Sequence, residues 1–336
     1  MTNYDQPLQC RRDVLQAAAA ALASAWVPAN AAEPPPETRH IRIQDAPIAC
    51  FAPLYVAEQL LVAEGFTEVE YVKTAPGEAP TERLASGRLD IAQDDSAALL
   101  MSLDAGAPIV VLAGTHTGCW ELFAQAPIKS LLELKGKTIA APDKSSRQAF
   151  VAAMLASVGL NPRKDVTWIN HAPAVSMRLF EQGKIDAFMG FVPEPQELRA
   201  RNIGKVLINT LTDRPWSQYF CCLFAGNREF VRKNPVATKR ALRALMKAVD
   251  LCVSQPEQAG KLMVARGFAA PQSGYVLQSI KEIGYRHWRE YEAEDTMRFW
   301  SLRLREMGIV KSDPKKLLAR GTDWRFIEQI KRELKT

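Results

Sequence analysis

The chain has 336 residues, a formal net charge of +6 from 43 Lys and Arg against 37 Asp and Glu, and 47% hydrophobic residues. That length suits two lobes with separate cores. The cations are scattered among acids, as in VRKNPVATKRALRALMKAVD from Val231, which excludes a nucleic-acid stripe and marks solvated helix faces.

The first elements belong to export. Cys10-Arg11-Arg12-Asp13-Val14-Leu15 opens an Ala-rich stretch that ends in the small-residue site Ala29-Asn30-Ala31. Residues 1–31 therefore read as an export signal, twin-arginine-like although Asp13 and Gln16 depart from that wording, with an ordinary Sec signal as the alternative. Residues 32–39, with Pro34 to Pro36, read as a stiff spacer. No later segment is long and apolar enough to span a bilayer, so a soluble periplasmic protein is expected. Five of the six cysteines follow the signal. Cys221 and Cys222 are adjacent, there is no C-x-x-C, and His40, His116, His171 and His287 are far apart. This predicts no metal and no cofactor, with Cys50, Cys119 and Cys252 as buried reduced thiols.

From residue 40 the periodicity alternates strand and helix. HIRIQD (40–45), a helix over 53–65, a strand over 69–74, a helix to Arg88, DIAQ, the helix SAALLMSLDAG and PIVVLAGT make one unit. KTIAA, the turn PDKSS, the helix from Ser146, VTWIN, VSMRLFEQG, DAFMG, PEPQELRARN and KVLIN make a second. A helix-rich tail follows from Asn234. The fold class is α/β with two lobes, 40–117 plus 222–336 and 118–221, joined by crossings at Thr115–Trp120 and Trp216–Phe220. LASGRLDIAQDDSAALL from Leu84 and FEQGKIDAFMGFVPEPQEL from Phe180 share one pattern: a helix ends at Gly87 or Gly183, and a strand starts at Asp90 or Asp186 and runs into a polar loop. Loops at the carboxyl ends of strands line the crevice of open α/β sheets.

PDKSSRQAF (142–150) puts polar turn residues between a strand and a helix, where free N–H groups and the helix dipole favour an anion. Ser145 or Ser146 equally reads as a plain N-cap. Gly136-Lys137 upstream is not a phosphate loop, because position 131 is Leu where that motif requires Gly.

LYVAEQLLVAEGF, ERLASGRLDIAQDDSAALL, SLLELKGKTIAAPDKSSRQAF, LFEQGKIDAFMGFVPEP and FAGNREFVRKNP occur in an order that resembles periplasmic substrate-binding proteins of ABC transporters. The likeness is to the nitrate, sulfonate, taurine and thiamine-pyrimidine-precursor binders, over nearly all of residues 40–270. It implies a two-lobed type II-like clamp that presents a small solute to a permease and its cytoplasmic ATPase. The family's Gly-Ser turn falls on Lys144-Ser145-Ser146, which lacks the Gly. Pyrimidine synthases of thiamine biosynthesis share this fold but carry C-C-C-F-C and supply a Lys and a His. Here Phe220-Cys221-Cys222-Leu223-Phe224 keeps only two thiols, and the first crevice loop, 44–51, has neither base. An exported sensor without a transporter is a further alternative.

Expected cleft residues are Gln44, Phe51, Asp94, Asp95, Ser96, Thr115, His116, Ser145, Ser146, Arg147, Phe191, Glu194, Trp216 and Tyr219, with none catalytic. Asp94 and Asp95 are equally readable as caps of the helix at Ser96, and Trp120, Trp216 and Phe191 as core. His116 displays no nucleophile or orienting partner in the sequence. The expected solute is small and organic, aromatic, heteroaromatic or anionic. Arg147 would pair a carboxylate or sulfonate, whereas a heteroaromatic amine would use Asp94, Asp95 or Glu194. The protein is expected to be a monomer with no nucleic-acid partner.

Overall fold

The computed structural model describes residues 33–335 apart from 47, 74–77 and 268–272. The export signal lies outside the described residues. Two five-stranded sheets form the frame. The strands are β1 His40–Asp45, β2 Glu68–Lys73, β3 Ile91–Asp95, β4 Ile109–His116, β5 Trp120–Ala124, β6 Thr138–Ala140, β7 Thr167–Ile169, β8 Ala187–Phe191, β9 Lys205–Asn209 and β10 Cys222–Asn227. The orders are β2-β1-β3-β10-β4 and β7-β6-β8-β5-β9.

Each sheet is parallel except for one inserted strand: β10 runs antiparallel between β3 and β4, and β5 antiparallel between β8 and β9. Both inserted strands come from chain that has just crossed from the other sheet. The chain leaves the first sheet after His116 and joins the second at Trp120, then leaves β9 at Asn209 and returns at Cys222. The expected helix over 53–65 is instead a 3₁₀ turn, Ala49–Phe51, followed by helices Ala52–Val56 and Glu58–Ala63.

The repeated Gly-base-aliphatic-Asp pattern has one structural job, done twice. Gly87 (φ +73°) and Gly183 (φ +67°) take the left-handed conformation that ends a helix. Asp90 Oδ2 then accepts the Arg42 N–H at 2.8 Å, and Asp186 Oδ2 accepts the Thr138 N–H at 2.8 Å. In each lobe the aspartate fastens a strand to its parallel neighbour. It is not a ligand group.

The helical tail binds both lobes. The 20-residue helix Pro235–Ser254 buries Leu242, Leu245, Met246 and Val249. Its first turn is capped from the supposed spacer, where the Glu37 carboxylate accepts the Val236 and Ala237 N–H groups at 2.9 and 2.8 Å. Further on, Glu282 accepts hydrogen bonds from Gln196 and Arg199 of the second lobe. Trp300, in the helix Ala293–Glu306, meets Phe150 edge-on at 4.6 Å. The Met307 carbonyl accepts from Arg163 at 2.8 Å.

Candidate functional site

The carboxyl ends of β1, β3 and β4 lie along one edge of the first sheet, and the loop after β6 faces them from the second lobe. Between them is a cleft of about 1150 Å³ lined by Asp94, Asp95, Lys144, Ser145, Ser146 and Gln148, with apolar floor from Ala98, Met101 and Ile309. Ser145 is the N-cap of the helix Ser146–Ser157: its Oγ accepts the Gln148 N–H at 3.3 Å and donates to the Pro142 carbonyl at 2.6 Å. Lys144 adopts φ +56°, so a lysine holds the left-handed turn position where glycine is usual. The PDKSSRQAF loop is thus a helix start and a cleft wall at once.

Asp95 caps the helix Ser96–Asp104 by accepting the Ala98 N–H at 2.9 Å, and Asp94 accepts the Asp95 N–H at 2.9 Å. Burial pushes Asp95 up to about 7, with the nearby Cys222 adding to the rise and the Ala98 N–H and Ser146 hydroxyl opposing it. Burial, reinforced by Asp95, also holds Asp94 well above the usual carboxylate range. Two adjoining carboxyls at a cleft wall thereby share their titration.

Three polar atoms are fully buried with no hydrogen-bond partner among the described residues: Gln44 Nε2, Ser96 Oγ and Thr115 Oγ1. Each sits at or just beyond the carboxyl end of its strand, β1, β3 or β4. Gln44 Oε1 is occupied by the Gln93 N–H at 3.1 Å. Buried polar groups are normally paired, but these three expected site residues are fully buried and do not line the cleft of Asp94 and Ser145.

The remaining expected site residues are turned to other work. Arg147 is buried: it pairs with Glu194 at 2.9 Å, donates to the Met189 carbonyl, and sits 5.3 Å from the ring centres of Trp120 and Phe188. Glu194 also accepts the Phe191 N–H at 2.8 Å. Sequence reasoning placed Arg147 and Glu194 separately in the cleft and missed that they satisfy each other. Trp216 stacks on Trp300 at 5.7 Å and Tyr219 on Phe299 at 3.9 Å, while Phe191 packs on Trp120 at 4.4 Å. These aromatics form a continuous layer under the tail helix and do not line the cleft of Asp94 and Ser145. Phe51 is in the first-lobe core.

His116 is also fully buried, against thiols that the sequence left scattered. Its Nδ1 lies 3.7 Å from Cys119 Sγ, and Cys50, His116, Cys119 and Cys222 each bring one ligand-type atom within 4.8 Å of the others. Burial pushes the Cys50, Cys119 and Cys221 thiols up. The His116-Thr117-Gly118-Cys119 spacing was the one local signal for this cluster.

The profile of the NMT1/THI5-like family matches residues 49–259. The chain belongs to the NMT1/THI5-like family. The match covers the second sheet, the first sheet apart from β1, and the first part of the tail. A Brucella abortus (strain 2308) protein named only as a binding protein is 27% identical over 182 residues, 54% of this chain and 56% of its own length. The chain thus spans little more than half of that relative. The periplasmic nitrate-binding protein NrtA of Synechocystis PCC 6803 superposes with a TM-score of 0.73 at 16% identity, covering 90% of each chain. The alkanesulfonate-binding protein SsuA of Xanthomonas axonopodis pv. citri, bound to MOPS, gives 0.68 at 18% identity, covering 88% of this chain and 100% of its own. The fold is that of the periplasmic binding proteins, as the order of sequence motifs implied. Among the described residues, no helix is long and apolar enough to cross a membrane.

Proposed function

We propose that this protein is the solute-binding receptor of an ABC importer, working in the periplasm as a monomer that hands its solute to a permease and cytoplasmic ATPase and carries out no catalysis itself. The observation that carries the reading is the interlobe cleft, in which Asp94 and Asp95 face Ser145 and Ser146. A solute held by both lobes makes contacts in the closed state that an open state lacks, which drives closure.

The cleft favours a small solute rich in hydrogen-bond donors or carrying a positive charge, a heteroaromatic amine included. Its lining carries Glu82, Asp94 and Asp95 against Lys144 and Arg163, Arg163 being bonded to the Met307 carbonyl, and the Arg147 fork is committed to Glu194. NrtA and SsuA are named for nitrate and alkanesulfonate; an anion of that kind would here meet two carboxyls. Stacking on Trp216 or Tyr219 has no support, since each ring is stacked on an aromatic of the tail helix and neither lines the cleft.

Native mass spectrometry of the protein purified from its own source tests the reading. Recovery of an amine or polyhydroxylated small molecule, with a ligand-dependent rise in unfolding temperature, is the expected result. Recovery of inorganic nitrate or a bare alkanesulfonate overturns the solute preference. Unimpaired uptake of the recovered solute after gene deletion overturns the transport role and favours a sensor.

A further inference from the structure

The metal-free expectation rested on spacing along the chain, and the fold removes its basis. Cys50 comes from the 3₁₀ turn after β1, His116 from the end of β4, Cys119 from the first crossing and Cys222 from the start of β10. All four are buried, and their ligand-type atoms all lie within 4.8 Å of one another. In a tetrahedral zinc site with Zn–S of about 2.3 Å, neighbouring ligands stand about 3.5–3.8 Å apart. Small rotamer shifts close that gap. The local turn is built for it, because Gly118 at φ +66° bends the chain so that Cys119 Sγ returns to His116.

We propose that Cys50, His116, Cys119 and Cys222 form a closed, four-ligand site for a single zinc ion that fastens the two interlobe crossings to the first lobe. Three thiols and an imidazole with no open position match a structural zinc centre, and thiolate ligands disfavour magnesium or calcium. Binding replaces the three thiol protons, which pass to solvent, by Zn–S bonds.

A second feature points the same way. Gln93 is fully buried; its Nε2 lies 3.3 Å from His116 Nε2 and donates to the Cys50 carbonyl at 3.1 Å, whereas its Oε1 has no partner. A half-turn of the amide would aim Oε1 at His116 Nε2–H, leaving Nδ1 for the metal. The turned Oε1 would also stand against the Cys50 carbonyl oxygen, now 3.1 Å from Nε2, so that carbonyl must swing away while keeping the Tyr285 hydroxyl, which donates to it at 3.0 Å. The rival use of these thiols is a disulfide: Cys221, outside the ligand set, has its Sγ 2.8 Å from Cys119 Sγ.

The consequence is mechanical. His116 and Cys119 belong to the first crossing and Cys222 ends the second, so one ion would restrain both strands about which the lobes turn.

The test is elemental analysis of the intact protein purified under reducing conditions without chelator, then chelation and titration with Zn(II) and Co(II). The expected result is one zinc per chain and, after cobalt loading, thiolate charge-transfer absorption with the visible bands of a tetrahedral ion. Cys50→Ser and Cys222→Ser should each lose the stoichiometric ion, whereas Cys252→Ser, a buried thiol outside the set, should retain it. Wild-type measurements alone decide the matter if the ligand variants fail to fold. Absence of zinc with no cobalt spectrum, binding that survives loss of both Cys50 and Cys222, or a native Cys119–Cys221 disulfide in unreduced protein from its own source would each overturn the assignment.

Discussion

The two lobes meet along two kinds of surface. On one, Asp94 and Asp95 face Ser145 and Ser146 across a polar cleft of about 1150 Å³. On the other, Phe150, Trp216 and Tyr219 are pressed under Phe299 and Trp300 of the tail helix. Both surfaces sit beside a crossing or a strand end. Position in the topology therefore makes a residue interlobe without making it ligand-facing, and what separates the two surfaces is the tail, which covers only one.

Removing the cover should have the largest effect. Trp300→Ala deletes a buried indole that touches Phe150, Trp216 and Phe299, and a loss of about 3–5 kcal/mol in chemical unfolding is expected. A loss under 1 kcal/mol would mean that the tail does not weld this surface, and the contrast would disappear.

Arg147→Ala comes next. It strands Glu194 beside an apolar layer, which should lower stability by about 2–4 kcal/mol, less than for a fully buried pair because Glu194 keeps some exposure. Adding Glu194→Gln should restore part of that loss. If Arg147→Ala leaves stability unchanged and abolishes binding of a sulfonate, the arginine belongs to the cleft and not to the welded surface.

On the polar side the effects are smaller and depend on pH. Asp95 is held up near 7 by burial, so the folded state keeps a proton that the unfolded chain releases near pH 4. Stability contributed by this group is present below pH 4 and is lost as pH rises from about 4 to 7. Asp95→Asn, which keeps an acceptor for the Ala98 N–H, should therefore raise stability by about 1–3 kcal/mol at pH 8 and change little at pH 4. Thermal unfolding at both pH values checks the sign. Ser145→Ala, the loss of a helix cap, should cost about 1 kcal/mol at either pH.

The sequence carried the parallel strands and their helices well, because each run is bounded by a glycine, proline or polar turn, and Gly87 with Asp90 repeats as Gly183 with Asp186. The inserted strands β5 and β10 went unseen. WELFA and CLFAGN follow directly on the crossings, and their strand character comes from the neighbours on either side. The site divided along similar lines. Asp94, Asp95, Ser145 and Ser146 were legible because loops after parallel strands converge. The Arg147–Glu194 pair and the cysteine–histidine cluster were not, since each depends on side chains brought together from distant parts of the chain.

The central claim is that the acidic polar cleft, and not the arginine, selects the solute. Calorimetric titration of wild type, Asp94→Asn and Arg147→Lys with one heteroaromatic amine and one alkanesulfonate, at pH 6 and pH 8, tests it directly. Amine binding should strengthen about tenfold from pH 6 to pH 8 as Asp95 ionises and should fall about tenfold in Asp94→Asn, with Arg147→Lys near wild type. Sulfonate binding that is tighter than amine binding, indifferent to Asp94 and lost in Arg147→Lys would contradict it.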